Sequence, residues 1–493
     1  MDPGVFIPAA AFIILFVLLG TLYSSTTYDI FSNIQDLITT YLGWGYIALT
    51  LTLLIVCLFF AFSRWGRFKI GAENDKPEHS RIAWLSMLFS AGMGTGLVFW
   101  SVAEPLTHFS NPPPELPISL SDRDRALVYT FFHWGFHPWA IYSIFALGIS
   151  YFHFRKGLPL APRSLLSPLL GENIHGFLGK SFDVICTVGT LFGVATSLGL
   201  GAMQINSGLS AFSDLGQSVQ IQIGIIAGIT LVATISVLSG IHKGIKVLSQ
   251  ANIALAFLLC FAVFFLGPTL GIIKLLFESI GSLFVSLPYL STRMGEGSVL
   301  EWQKDWTLFY WGWWISWSPF VGIFVARISK GRTVRELIVS VLLIPTFATF
   351  FWLATFGGSS FFLNEKFEDF PLQLIQETPA KALHSMVDYL PLGEILGPLA
   401  TVLIIIFFIT SSDSGSLVDD MVTSGGHPDP PRVQRVFWAV SEGLVAMTLL
   451  LAGGLKALQM ASITFGLPMA ILITVATFGL LREMRRALRE KKH

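Results

Sequence analysis

The chain alternates between long apolar runs and short polar connections. Twelve runs reach the length of about 20 residues that crosses a bilayer core as a helix. They are residues 5–23, 42–63, 82–103, 126–152, 182–211, 219–240, 248–273, 306–326, 337–358, 393–418, 433–453 and 457–481. Strands of a membrane barrel would be about ten residues long and would alternate in polarity. These runs are longer and evenly apolar, so the pattern predicts an all-α membrane protein with twelve transmembrane helices. Two further stretches, 274–296 and 376–391, are amphipathic. They predict interfacial helices or lids packed over a mouth.

Composition agrees with this reading. Of 493 residues, 53% are hydrophobic and only 13% charged, about half the charge of a typical soluble domain. A string of soluble domains is excluded, because too few charged side chains remain to cover their surfaces. Net charge is zero, which removes a nucleic-acid footprint. Cys57, Cys186 and Cys260 lie inside apolar runs and read as small buried hydrophobes, not as a disulfide framework or metal site. The first run lacks a basic leader and a small-residue cleavage site, so it reads as a retained span.

Lys and Arg set the orientation. Segments 64–81, 155–180, 243–246, 327–335 and 432–435 and the tail from residue 482 together hold 23 of the 31 basic residues. All of them fall on one side if both termini are cytoplasmic, which predicts a multi-pass protein of the plasma (bacterial inner) membrane.

Glycine and proline then point to a site. The third predicted helix contains Ser90-Ala-Gly-Met-Gly-Thr-Gly96, and the eighth contains Trp311-Gly-Trp-Trp-Ile-Ser-Trp-Ser-Pro-Phe320. Each glycine weakens a helix by about 1 kcal/mol against alanine. Freed backbone at membrane depth is tolerated where it is buried or lines a cavity. A close helix contact through Gly92 and Gly96 is the competing reading. The two interrupted helices open two five-helix units, and an odd number of helices inverts the second relative to the first.

Aromatic residues accompany these breaks. Trp313, Trp317 and Phe320 share one helical face, with Tyr310 a turn earlier and Trp314 beside them; Trp134, Trp139 and Tyr142 fall on one half of the fourth helix. Interfacial belts account for Trp302 and Trp306 but not for tryptophans inside a span. Clustered indole faces hold quaternary ammonium groups by cation–π attraction. The tenth helix adds Thr410-Ser-Ser-Asp-Ser-Gly-Ser416, hydroxyls suited to a hard cation or to back-bonding onto the helix. Asp413 is a functional candidate as an intramembrane carboxylate, or a partner for a nearby arginine. No HExxH, GxSxG or phosphate-binding loop occurs, so the chain does not read as an enzyme.

At these residues the sequence closely resembles the betaine/carnitine/choline transporter family. The matching stretches are Ala91–Gly96 with Glu104-Pro105, Phe132–Trp139, Trp306–Phe320 continuing through Ala326–Arg335, and Thr410–Ser416. The resemblance implies a leucine-transporter-type 5+5 inverted repeat (helices 3–7 and 8–12) preceded by two extra helices, usually as a homotrimer in membrane lipid. Residues 1–81 would hold the two extra helices and a loop, 82–275 the first repeat, 276–305 an amphipathic connection, 306–481 the second repeat and 482–493 a short basic tail. It implies an onium substrate in a box of Trp134, Trp139, Tyr142, Trp313, Trp314 and Trp317, with Met93, Gly94 and Gly96 approaching through backbone. One coupling Na⁺ would sit on Ser90, Met93, Phe407, Thr410 and Ser411, and a second on Thr190 and Phe320; no organic cofactor is implied. Val194 stands where another threonine is expected, which weakens the second ion. Gly96, in place of an acid found in some choline carriers, favours a zwitterion such as glycine betaine. The reading is sodium-coupled uptake by alternating access. A sodium-independent exchanger or proton-coupled carrier of carnitine or choline is the alternative, and a channel or transport-dead osmosensor is more distant.

Overall fold

The computed structural model describes the chain except residues 93, 240–241, 428 and 491–493, and except the side chains of 90–92, 236–239, 242–247 and 490. Among the described residues the fold is helical, apart from one isolated bridge between Lys69 and Thr333.

The first two helices are α1 (Pro3–Leu22) and α2 (Ser24–Phe62). α2 runs 39 residues, continuing well before the apolar run at 42–63. The third predicted span is two helices, α3 (Arg81–Gly92) and α4 (Thr95–Ser110), separated at the glycine segment. The fourth is also divided, into α5 (Asp122–Trp134) and α6 (Phe136–Ser150), with Gly135 between them at φ −98°, ψ −127°. A short α7 (Ser167–Leu170) precedes the unbroken α8 (Phe177–Phe212). Then come α9 (Val219–Ser239), α10 (His242–Leu266) and α11 (Thr269–Thr292), whose outer face exposes Leu270, Phe277, Phe284 and Val285. α12 (Ser298–Asp305) leads into α13 (Thr307–Ile328) and α14 (Val334–Lys366). The stretch 376–391 contains the end of α15 (Leu372–Glu377) and α16 (Ala382–Val387), which pack against α4. α17 (Gly393–Thr423) and α18 (Arg432–Glu490) complete the chain, α18 leaving helical geometry at Gly453 and at Gly454, where φ is +59°.

The expectation of an interrupted eighth span is corrected: α13 is continuous through Pro319. Proline cannot donate to the carbonyl of Ile315, but Ser318 Oγ donates to that oxygen at 2.7 Å. A neighbouring hydroxyl re-satisfies the freed carbonyl, so the helix persists. The breaks lie instead in the third and fourth spans.

Eight helices among the described residues are long and apolar enough to cross a membrane. The two divided spans leave pieces too short to qualify, and α13 carries five tryptophan and tyrosine side chains among its first eleven residues. The chain is a multi-pass membrane protein. Its core is built where α13 packs against α6, α8 and α18. Cys57, Cys186 and Cys260 are free and buried.

Candidate functional site: an aromatic cavity at two helix breaks

Both breaks open on one cavity. It is lined from α4 and the turn before it by Gly94, Thr95, Gly96 and Leu97. α5 and α6 supply Trp134, Pro138, Trp139 and Tyr142; α13 supplies Trp313, Trp314 and Trp317; Ser197, Thr349 and Ser411 close it from α8, α14 and α17. All six residues of the expected aromatic box meet here.

Ring geometry follows from helical spacing. Trp313 and Trp314 stack with centroids 4.7 Å apart at 13°, and Trp134 meets Trp314 edge-on at 4.8 Å and 71°. Trp139 stands edge-to-face with Tyr142 at 5.4 Å, and Tyr142 lies 6.4 Å from Trp317. These separations are those of favourable aromatic pairs. Three indole N–H groups are fixed: Trp134 to Glu104 Oε2 at 2.8 Å, Trp314 to the His133 carbonyl at 2.9 Å, and Trp313 to the Gly193 carbonyl at 3.3 Å. Tyr142 OH and Trp317 Nε1, also at the cavity, are buried without partners.

The glycine segment is dictated by space. A Cβ on Gly96 would run into the Trp313 ring, whereas one on Gly94 meets nothing within 4 Å. Gly94 is extended and caps α4 without a side-chain bond. The first N–H groups of α4 therefore lack capping partners from that side chain, at a helix end that favours negative charge. Met93 lies outside the described residues, as does the side chain of Ser90.

Beneath the box is a polar knot that sequence reasoning missed. Glu104 has no solvent exposure. Its Oε1 receives His133 Nδ1 at 2.7 Å, and its Oε2 receives Trp134 Nε1 at 2.8 Å and the Tyr310 hydroxyl at 2.5 Å. His133 Nε2 pairs with Thr307 Oγ1 at 3.0 Å. Glu104, His108 and His133 have the donor types of a metal site, with ligand atoms within 4.8 Å of one another. Both Glu104 oxygens are already occupied by hydrogen bonds, which supports an anchoring role. The available signal was a glutamate inside an apolar span.

The expected sodium ligands are only partly gathered. Ser411 lines the cavity. The Thr410 hydroxyl accepts from Asn252 at 3.0 Å and donates to the Ile406 carbonyl at 2.9 Å. Phe407 is buried. Thr190 Oγ1 is buried without a partner, and Phe320 packs 5.2 Å from Trp317. Val194 is fully enclosed hydrocarbon against α17: a Cβ on Gly415 would lie 3.0 Å from both its methyl groups.

Comparison with known proteins identifies the family. The model of the betaine/carnitine/choline family transporter matches residues 4–489. An uncharacterized transporter of Mycobacterium tuberculosis is 45% identical over 487 residues, covering 97% of this chain and 82% of that protein. The glycine betaine transporter OpuD of Bacillus subtilis is 42% identical over 480 residues, covering 97% and 93%. A glycine betaine/proline/choline transporter of Vibrio parahaemolyticus is 41% identical over 489 residues, covering 95% and 88%. With the match spanning nearly the whole chain and the aromatic cavity assembled from the same segments, the protein belongs to the betaine/carnitine/choline transporter family and is a membrane transporter, not an enzyme.

Proposed function

We propose that this transporter imports a quaternary-ammonium or related onium solute, glycine betaine foremost, coupled to sodium. The observation that carries the reading is the cavity itself. Indole and phenol faces suit a cation that cannot shed its charge, each contact contributing about 0.5–2 kcal/mol. The start of α4 and the unpartnered Tyr142 hydroxyl and Trp317 N–H suit a carboxylate. A zwitterion uses both ends. The names of the Bacillus and Vibrio relatives point the same way.

The coupling ion would use Ser411 with Thr410, Phe407, Ser90 and Met93; the orphaned Thr190 hydroxyl is an oxygen for a second, near Phe320. The architecture would be twelve helices with a 5+5 inverted repeat, rocking about the cavity in alternating access. The chain would sit as a homotrimer in the plasma membrane with both termini cytoplasmic. The alternative is a sodium-independent exchanger, in keeping with Val194, a hydrocarbon side chain where the family resemblance leads us to expect a second-ion threonine.

Purified protein in liposomes separates these readings. Labelled betaine accumulating under an imposed Na⁺ gradient supports symport. Uptake that requires only substrate on the far side identifies exchange. Ser411→Ala should raise the Na⁺ concentration needed for half-maximal uptake, and an unaltered Na⁺ dependence removes Ser411 from the ion site.

A further inference from the structure

A second polar cluster lies away from the aromatic cavity, between α17 and α18. Glu442 on α18 has no solvent exposure; its Oε2 lies 3.2 Å from Ser412 Oγ, and its Oε1 has no partner. The side chain presses against α17 so closely that a Cβ on Gly415 would come 2.8 Å from Oε1. Ser412, Gly415 and Asp419 follow one another at i, i+3 and i+7, so they share a helical face. Asp419 is likewise unexposed, and neither of its carboxylate oxygens has a partner. Asp420 adds a third buried carboxylate with an unpartnered Oδ1.

Among the described residues no cation pairs with Glu442 or Asp419. From α17 the charges acting on Glu442 are those of Asp413, Asp419 and Asp420, all negative. Arg435 acts on Asp420 but is paired with Asp429. Around α8, Asp183 is held by Arg163, and Asp2 takes up both Arg163 and Lys180. On α8, Cys186 feels the Asp419 charge and Val194 packs against Gly415. α9 contributes Thr230 beside Gly443, α10 contributes Asn252, bonded to Thr410, and Arg327 of α13 reaches Met421.

Isolated ionised carboxylates in a low-dielectric interior are strongly unfavourable, and adjacent ones repel. Intramembrane carboxylates of this kind persist where they meet an ion or a proton. We propose that Glu442 and Asp419 form a small-cation site, distinct from the aromatic cavity and from the hydroxyls of Thr410 and Ser411, that takes a proton or Na⁺ on the unpartnered oxygens. The site joins α17 to α18. Occupancy holds the two helices together, and loss of the cation leaves two facing negative charges that push them apart.

This inference does not require betaine to be the substrate. Infrared spectra of the purified full-length protein at neutral pH test for the proton: a protonated-carboxyl band that shifts in D₂O and is lost in both Glu442→Gln and Asp419→Asn supports it. Na⁺ titration by calorimetry tests the other source, where one binding event fewer in both variants supports a sodium site. No such band, together with unchanged Na⁺ stoichiometry in both variants, overturns the proposal. The amides are near-isosteric, and Gln keeps an acceptor for Ser412; two variants on different helices guard against one failing to fold. Betaine quenching of tryptophan fluorescence in wild-type protein reports separately on the aromatic cavity. Its absence would sink the onium reading and leave the carboxylate site standing.

Discussion

The indole N–H of Trp134 is anchored 2.8 Å from the carboxylate of Glu104, about two turns of helix beyond the glycine segment that opens the cavity. The same Oε2 receives Tyr310 of α13, so a single side chain of α4 ties α5 to α13. Glu104 is a positioning residue for the box. In Glu104→Gln the amide has one acceptor oxygen for donors that now use two, and its NH₂ faces donors. Hydrogen bonds to a charged group contribute about 1.5–3 kcal/mol. Onium affinity should fall roughly tenfold or more, with a blue- or red-shifted tryptophan emission in the apo protein. Unchanged affinity and emission would remove Glu104 from this role.

Gly96 and Gly94 make a matched pair. Gly96→Ala drives a methyl group into the Trp313 ring, while Gly94→Ala meets open space. Overpacking of a well-filled interior typically costs about 1–3 kcal/mol. Betaine binding should therefore weaken markedly in Gly96→Ala and much less in Gly94→Ala. Equal losses would mean that backbone freedom, not ring contact, dictates glycine at 96.

Trp314 stacks on Trp313 and receives the edge of Trp134. Trp314→Ala removes one face and loosens two others, so calorimetric onium binding should be abolished. Trp314→Phe retains a smaller face and should retain measurable affinity. Wild-type affinity in the alanine variant would sink the cage assignment.

His384, in α16 outside the spans, bonds through Nε2 to Thr401 Oγ1 at 2.9 Å. Burial pushes its imidazole down to about 4. The folded protein holds the ring neutral, whereas the unfolded chain takes a proton near pH 6.5. Its contribution is thus fully present above that pH and is lost as pH falls through 6.5 toward 4, by up to about 3 kcal/mol. Melting temperature should drop across this window, and His384→Gln should flatten the drop. Parallel curves for both proteins would exclude His384 as the source.

Helix class and the aromatic box were legible because apolar run length and tryptophan spacing are local properties. The break at Gly135 was not, because a lone glycine between Trp134 and Phe136 carries no more signal than many glycines inside unbroken spans. Pro319 misled in the other direction: its effect depends on Ser318 reaching the Ile315 carbonyl, a side-chain choice that composition does not reveal. Thr349 and Ser197 reach the cavity from α14 and α8 through tertiary packing alone. Glu104 was visible as a charge in an apolar run, but its partners come from three other segments. The Thr410 hydroxyl was read as an ion ligand, yet it also meets Asn252, 158 residues away in sequence.

The tethered indoles have a consequence for selectivity. With the N–H groups of Trp134, Trp313 and Trp314 turned into the protein, their rings offer π faces and no N–H donor, and an indole carries no conventional hydrogen-bond acceptor of its own. A primary ammonium entering there would strand its own N–H donors after leaving water, a loss that ring contact does not repay in full. Methyl groups carry no donors to strand. On the proposed onium reading these three ring faces would favour fully alkylated heads over ammonium heads of equal charge, while the hydroxyls of Tyr142, Ser197, Thr349 and Ser411 are the acceptors the lining does hold.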